Sequence, residues 1–248
     1  MATPPRLADL AEETLAAATK AGAEAADVLS VRGTSVSIDI RGGALEEAKR
    51  EEGTDLSLRV LLGQKQAVVS ISDTSSDALR EMAERAVAMA REAPDNPSLG
   101  LADPSELATS TDATSLDLYD PTEEPDPSAL QEASIRAENA ALAVEGISQS
   151  EGAGAGYMYR EIAMAATNGF RAEATRSASS LSCGAISGSG TEMERDYDGD
   201  SRVYRADLRS PEEIGTRAAE RAVSRAGART PPTGSFPVVY DERISSAL

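Results

Sequence analysis

Histidine is absent from all 248 residues, tryptophan is absent as well, and phenylalanine occurs twice. Without an imidazole, this sequence cannot supply a Ser-His-Asp triad, a Cys-His pair or an HExxH-type zinc site. One cysteine, Cys183, excludes an internal disulfide and fits a reducing compartment. With aromatics at 3%, any core has to be built from Ala, Val, Leu and Ile. Lysine is scarce too, at positions 20, 49 and 65 only, so the basic charge is carried by arginine. No apolar run approaches the length of a membrane span, and the opening MATPPRLADLAEE lacks the apolar centre of a secretion signal. The expectation is a cytoplasmic protein with no membrane partner.

What the chain has in excess is acid. Asp and Glu number 42 against 24 Lys and Arg, a formal net charge of −18. Such a surface repels phosphate backbones and anionic lipid heads, so no nucleic-acid partner is expected.

Apolar periodicity marks four helices. The first covers about 5–21, with Leu7, Leu10, Ala11, Thr14, Leu15 and Ala18 on one stripe and Gly22 after it. The second covers 76–92, with Leu79, Met82, Ala83, Ala86, Val87 and Ala90 on one face. The third opens at Asp126-Pro127, a side-chain cap followed by proline at the first helical position. Its stripe is Leu130, Ala133, Ala137, Ala140, Ala141 and Val144, and Gly146 stops it. In the fourth, Ser210 and Glu213 have capping-box spacing, and Ile214, Ala218, Ala222 and Val223 point inward.

Between these helices the period drops to two. VSIDIRGG alternates and turns at Gly42-Gly43, and DLSLRVLLGQKQAVVSIS reads as two strands around Gly63-Gln64. YMYREIAMAATNGFRAEATRSASSLSCGAIS reads as a long hairpin turning at Asn168-Gly169, with the extended stretch RDYDGDSRVYRADL after it. The fold class is therefore α+β, two tandem helix–antiparallel sheet–helix domains. Their expected limits are 1–93 and 127–228, with a linker at 94–126 rich in Pro, Asp, Ser and Thr. Phe236–Tyr240 reads as a short buried strand and Asp241 as the cap of a helix, so 229–248 opens a further unit.

Few residues carry chemistry by themselves. Cys183, inside SSLSCGAIS, reads as a small core residue rather than a nucleophile. Asp196, Asp198, Asp200 and Asp207 faintly resemble a calcium loop, but Ser201 stands where that loop needs glycine and Asp207 where it needs glutamate. Neighbouring Arg195, Arg202 and Arg205 make a solvated, arginine-paired hairpin the plainer reading. Gly152, Gly154 and Gly156 lack dinucleotide-binding spacing and read as a flexible loop opening the long hairpin, and Ser187–Gly190 reads as a loop. No catalytic, cofactor-binding or metal-ligating residue is assigned.

Taken in order, however, several stretches carry a resemblance. The segment from GAEAADVLSVRG to VVSISD resembles the first domain of the TldD/PmbA family, and DLYDP at Asp117–Pro121 resembles its linker. SQSEGAGAGY, ATNGF, SSLSCGAISG, MERDYD and SPEEIGTRAAERAV look like the PmbA (TldE) branch, and FPVVYDERISSAL like the start of the family's C-terminal β-rich domain. The resemblance implies a chain that stops just inside that third domain. It also implies a non-catalytic subunit of a TldD/TldE-like metallopeptidase acting on unfolded peptides. Zinc is then expected in a TldD-type partner, on an HExxxH motif, and not in this chain. Association with that partner or with itself is expected. The family's older name links it to DNA gyrase, so a gyrase or toxin–antitoxin regulator without proteolysis is the alternative. A carboxylate-only hydrolase ranks last, because a chain this poor in aromatics has little on which to stack a sugar. The hairpin Tyr157–Ile186 could hold peptide by strand addition, unless it simply completes a sheet within the chain.

Overall fold

The computed structural model describes residues 4–245. Four helices are present: α1 (Leu7–Ala21), α2 (Ser76–Glu92), α3 (Pro127–Leu142) and α4 (Pro211–Ser224). Six strands accompany them: β1 (Ala25–Arg41), β2 (Ala44–Leu62), β3 (Lys65–Ile71), β4 (Ile147–Ala166), β5 (Arg171–Ser187) and β6 (Glu194–Arg202). The fold is α+β, and the helix–strands–helix order occurs twice. The two sets of strands also join. The spatial order is β3-β2-β1-β4-β5-β6, with β1 and β4 paired antiparallel from Asp27↔Ala166 to Ile40↔Ala153.

Strand length explains how one sheet supports two cores. Val28 lies in a core under α1 and α2 with Leu56, Leu58, Val60 and Ala165. Val36, Ile38 and Ile40, farther along the same face of β1, lie in a second core under α3 and α4 with Ala153, Leu181 and Cys183. Residues two apart share a face of a strand, so a 17-residue strand can serve one helix pair at each end.

All six stripe residues expected for α1 and for α2 are buried. Ser75 caps α2 through a bond from the Ala78 N–H, and the αL residue Gly22 (φ 102°) closes α1. In α3 the buried stripe is instead Leu130, Ser134, Ala137, Glu138 and Ala141. The two polar members are satisfied: Ser134 Oγ donates to Leu130 O at 3.0 Å, and Glu138 receives two backbone N–H groups. In α4, Gly215 and Ala219 are buried beside Ile214, Ala218 and Ala222. A β-carbon at Gly215 would collide with the Ala137 carbonyl, so the glycine sets how closely α4 crosses α3. Ser210 accepts from the Glu213 N–H, but the Glu213 carboxylate meets Arg209, so the capping box is half formed.

Two expectations need correction. Gly152, Gly154 and Gly156 lie within β4 and do not form a loop. A side chain at Gly154 would run into the Asp39 carboxylate on the neighbouring strand, so glycine here permits close strand approach. Phe236–Tyr240 is neither a strand nor buried, with Val239 at 96% exposure. No strand among the described residues lies beside it to accept its backbone. A helical turn does start at Asp241, whose carbonyl accepts from the Ile244 and Ser245 N–H groups. The last residues of that expected helix, 246–248, lie outside the described residues.

Candidate functional site

Because each helix pair covers one end of the sheet, the middle of that face carries no helix. Cross-strand rows there place Arg32 opposite Glu161 and Glu161 opposite Thr175, then Thr34 opposite Tyr159 and Tyr159 opposite Ser177. A cleft of about 570 Å³ opens over these rows, with Arg6, Arg32, Tyr119, Glu161, Glu173 and Thr175 among its lining.

The connecting segment forms one wall. Ser177 N–H donates to Leu118 O at 3.0 Å, and Ser177 Oγ accepts from Asp120 N–H at 2.8 Å. Asp120 is buried, and its carboxylate accepts from the Thr122 and Arg205 N–H groups, each at 3.0 Å. The Thr122 N–H, foremost among these bonds, holds the Asp120 carboxyl below its usual range despite burial. DLYDP, read from its composition as part of a linker, is therefore pinned to the sheet. Tyr119 packs edge-to-face on Tyr159, with ring centroids 5.6 Å apart.

The chemistry of the cleft is that of binding. Arg32 donates to Pro5 O at 2.7 Å and to Thr54 Oγ1 at 3.2 Å, and lies 3.7 Å from the Glu161 carboxylate. Tyr159 OH donates to Glu161 at 3.2 Å. Burial, reinforced by the Glu161 charge, pushes the Tyr159 phenol up to about 12, and burial also raises Tyr157. Both phenols therefore stay protonated and can donate hydrogen bonds at neutral pH. Arginines, carboxylates, hydroxyls and the Tyr119 ring along a groove suit an extended polar chain.

The Asp cluster is arranged differently from its sequence reading. Asp196 and Asp198 are buried, not solvated, because β6 presents them to α4. Asp198 pairs with Arg209 at 2.7 Å and with Arg221. Asp196 pairs at 2.8 Å with both Arg225 and Arg243. Asp200 meets Arg202 and accepts from the Arg209 N–H. Of the three arginines beside the cluster in sequence, only Arg202 pairs with it. Arg195 bonds Glu151, and the Arg205 N–H bonds Asp120. Asp207 lies in a short 3₁₀ turn, Arg205–Asp207.

Among the described residues, no group of three or more His, Cys, Asp or Glu is placed to hold a metal ion. With no imidazole in the chain and its clustered carboxylates tied to arginines, these residues do not fit a zinc site. Cys183 lies in the second core, and burial pushes its thiol up to about 12, which leaves it a poor nucleophile.

The hairpin Tyr157–Ile186, which either holds peptide at an edge or completes a sheet within the chain, is largely enclosed. β4 is flanked by β1 and β5. β6 covers β5 over Ser179–Ser187, and the Leu118 contact reaches Ser177 just before that span. It completes a sheet within the chain.

Residues 26–90 match the PmbA/TldA metallopeptidase domain 1, and residues 120–226 match the PmbA/TldA metallopeptidase central domain. The chain belongs to the PmbA/TldD metallopeptidase family. It is 29% identical to the metalloprotease PmbA of Escherichia coli O157:H7 over 91% of this chain and 50% of that protein. It is 30% identical to the metalloprotease PmbA homolog of Haemophilus influenzae over 93% of this chain and 51% of that one. The chain thus spans about half the length of these curated relatives. Its fold matches a candidate modulator of DNA gyrase from Bacteroides thetaiotaomicron, with TM-score 0.71, 22% identity, and coverage of 89% of this chain and 50% of that one. It also matches TldE from Thermococcus kodakarensis, with TM-score 0.65, 15% identity, and coverage of 86% and 47%. No described helix is long and apolar enough to cross a membrane.

Proposed function

We propose that this chain is the first and central portion of a PmbA/TldE-type subunit in a cytoplasmic metallopeptidase assembly that processes unfolded peptides. The observation that carries this is the ordered match of both family domains, at 26–90 and 120–226, together with the PmbA relatives. Within this reading, 1–93 and 127–228 are the first two domains, 94–126 joins them, and 229–248 opens a third. The subunit is architectural. Zinc belongs to a TldD-type partner, which agrees with a chain that contains no histidine. The cleft floored by Arg32, Glu161 and Thr175 guides extended peptide toward that partner, with its arginines, carboxylates and the Thr175 hydroxyl lining the path of the peptide backbone.

The test is cleavage of an unfolded peptide by the full-length parent protein, alone and mixed with a TldD-type partner, each with and without a chelator. The expected result is activity only in the mixture, lost to the chelator. Activity from this protein alone, insensitive to chelation, refutes the reading. Tight binding to gyrase with no cleavage in any mixture would support the regulator reading instead.

A further inference from the structure

Ser177, Ser179 and Leu181 follow one another on the helix-covered face of β5, and all three are buried. The Ser177 hydroxyl is satisfied, accepting from the Asp120 N–H and donating to Val203 O. The Ser179 hydroxyl is not. Its residue is only 3% exposed, yet among the described residues no group accepts from it or donates to it. Buried hydroxyls normally have a partner, so an orphan of this kind needs a reason.

Ser179 borders a cavity of about 320 Å³ between the start of α3 and the segment that leads into α4. The cavity exists because residues around it are short. Ala129 and Ala133 of α3 and Ala155 of β4 line it beside Leu130, Leu181 and Leu208, so its wall is mainly apolar. Its volume falls at the lower end for small-molecule sites, which span about 300–1,000 Å³.

Two arginines stand at this cavity, and they differ. Arg209 is bound to Asp198 and to the Gly199 carbonyl, each at 2.7 Å. Arg205 is exposed and engages only its backbone N–H, with Asp120; its guanidinium has no carboxylate partner among the described residues. The Arg205 charge reaches Tyr157, which lies directly across the strand pair from Ser179: burial raises that phenol, and Arg205 opposes the rise. The unpaired guanidinium and the orphan hydroxyl therefore serve the same region. Asp120 and Glu124, whose charges also act on Tyr157, are already engaged, Asp120 with two N–H groups and Glu124 with Arg50. An apolar hollow with an available cation and an available hydroxyl suits a ligand that has a carboxylate at one end and a hydrocarbon chain at the other.

We propose that this cavity binds a small aliphatic carboxylate, with its charged end held by Arg205 and Ser179 and its chain packed against Ala129, Ala133 and Leu181. The Tyr157–Ser179 row lies two rows along the sheet from the Glu161–Thr175 row that floors the central cleft, so the site is separate from that cleft. It does not rest on the peptidase reading.

Isothermal titration calorimetry of the protein with sodium octanoate tests this, alongside hexanoate, butyrate and octanol. Octanoate should bind with single-site stoichiometry, and each methylene added from butyrate upward should tighten binding about three- to fourfold. Arg205→Gln and Ser179→Ala should each weaken octanoate at least about tenfold, and Arg205→Gln should leave octanol unchanged. Ala133→Leu fills the hollow with a good helix former and should abolish binding without lowering the melting temperature; Ala129→Leu serves the same purpose if Ala133→Leu fails to fold. N-acetyl-leucine separates two sources of the same chemistry. Binding as tight as that of hexanoate assigns the site to the C-terminal end of a peptide, and binding of straight-chain acids alone assigns it to free fatty acids. No saturable binding of octanoate up to roughly 10 mM overturns the proposal. So does binding that survives the filling variants, or that is indifferent to Arg205→Gln.

Discussion

Replacing Glu138 by alanine should loosen the tie between α3 and the first hairpin. Glu138 is fully buried, and its two carboxylate oxygens accept from the N–H groups of Gly42 (2.8 Å) and Gly43 (2.7 Å). Both glycines have positive φ, 60° and 73°, so the turn presents adjacent N–H groups to a single acceptor. A hydrogen bond to a charged group contributes about 1.5–3 kcal/mol. Because the turn itself is exposed, water can replace part of the loss. The lower end then applies, about 2–3 kcal/mol for the two bonds together. In a chain of this size that corresponds to a fall of roughly 5–10 °C in Tm. Glu138→Gln, which keeps one acceptor oxygen, should cost about half as much. Urea unfolding followed by circular dichroism would measure both, and an alanine variant within about 0.5 kcal/mol of wild type would refute the argument.

The remaining predictions concern the Arg-tied acids and the thiol. Asp198→Asn leaves Arg209 and Arg221 facing an uncharged group at a buried position, and should cost about 3 kcal/mol in the same assay. Stability should also fall in acid. Burial alone would raise Asp196 and Asp200, but for Asp196 the Arg243 side chain, the Tyr197 N–H and Arg225 outweigh it, and for Asp200 the Arg209 N–H and Arg202 do. Folded values below the ordinary 3.8 mean that the contribution is complete above that pH and is lost as pH falls through the depressed values. Melting should therefore change little between pH 7 and pH 5 through these groups and drop below about pH 4; a flat profile down to pH 2 would contradict their pairing. Cys183 should resist a thiol reagent at pH 8 in the native protein and react fully in urea, and rapid native labelling would show that the second core opens.

Much of the local structure was legible in the sequence because its signals are short-range. The 3.6-residue stripes of α1 and α2 and the turns at Gly42-Gly43, Gly63 and Asn168-Gly169 depend on residues only a few positions apart. The α3 stripe was partly misread, since Glu138 looks like a surface residue until its partners, nearly a hundred positions earlier, are seen. Gly215 gave a weaker clue: a glycine inside a helix signals close packing, but not against what.

The sequence by itself determined which segments are helix or strand, which face of each is apolar, the absence of histidine chemistry, and the family signature along the chain. Only the tertiary structure decided which strands are neighbours. A period of two states which face of a strand is buried, yet it is silent on the partner, because backbone hydrogen bonds are alike for every sequence and register is chosen by long-range packing. The pairing of β1 with β4, the seating of Leu118 and Asp120 on β5, and the choice of Arg221 in α4 for Asp198 and of Arg225 just after it for Asp196 all depend on that long-range decision. So does the central cleft, which exists because strands long enough to serve two helix pairs leave their middles uncovered.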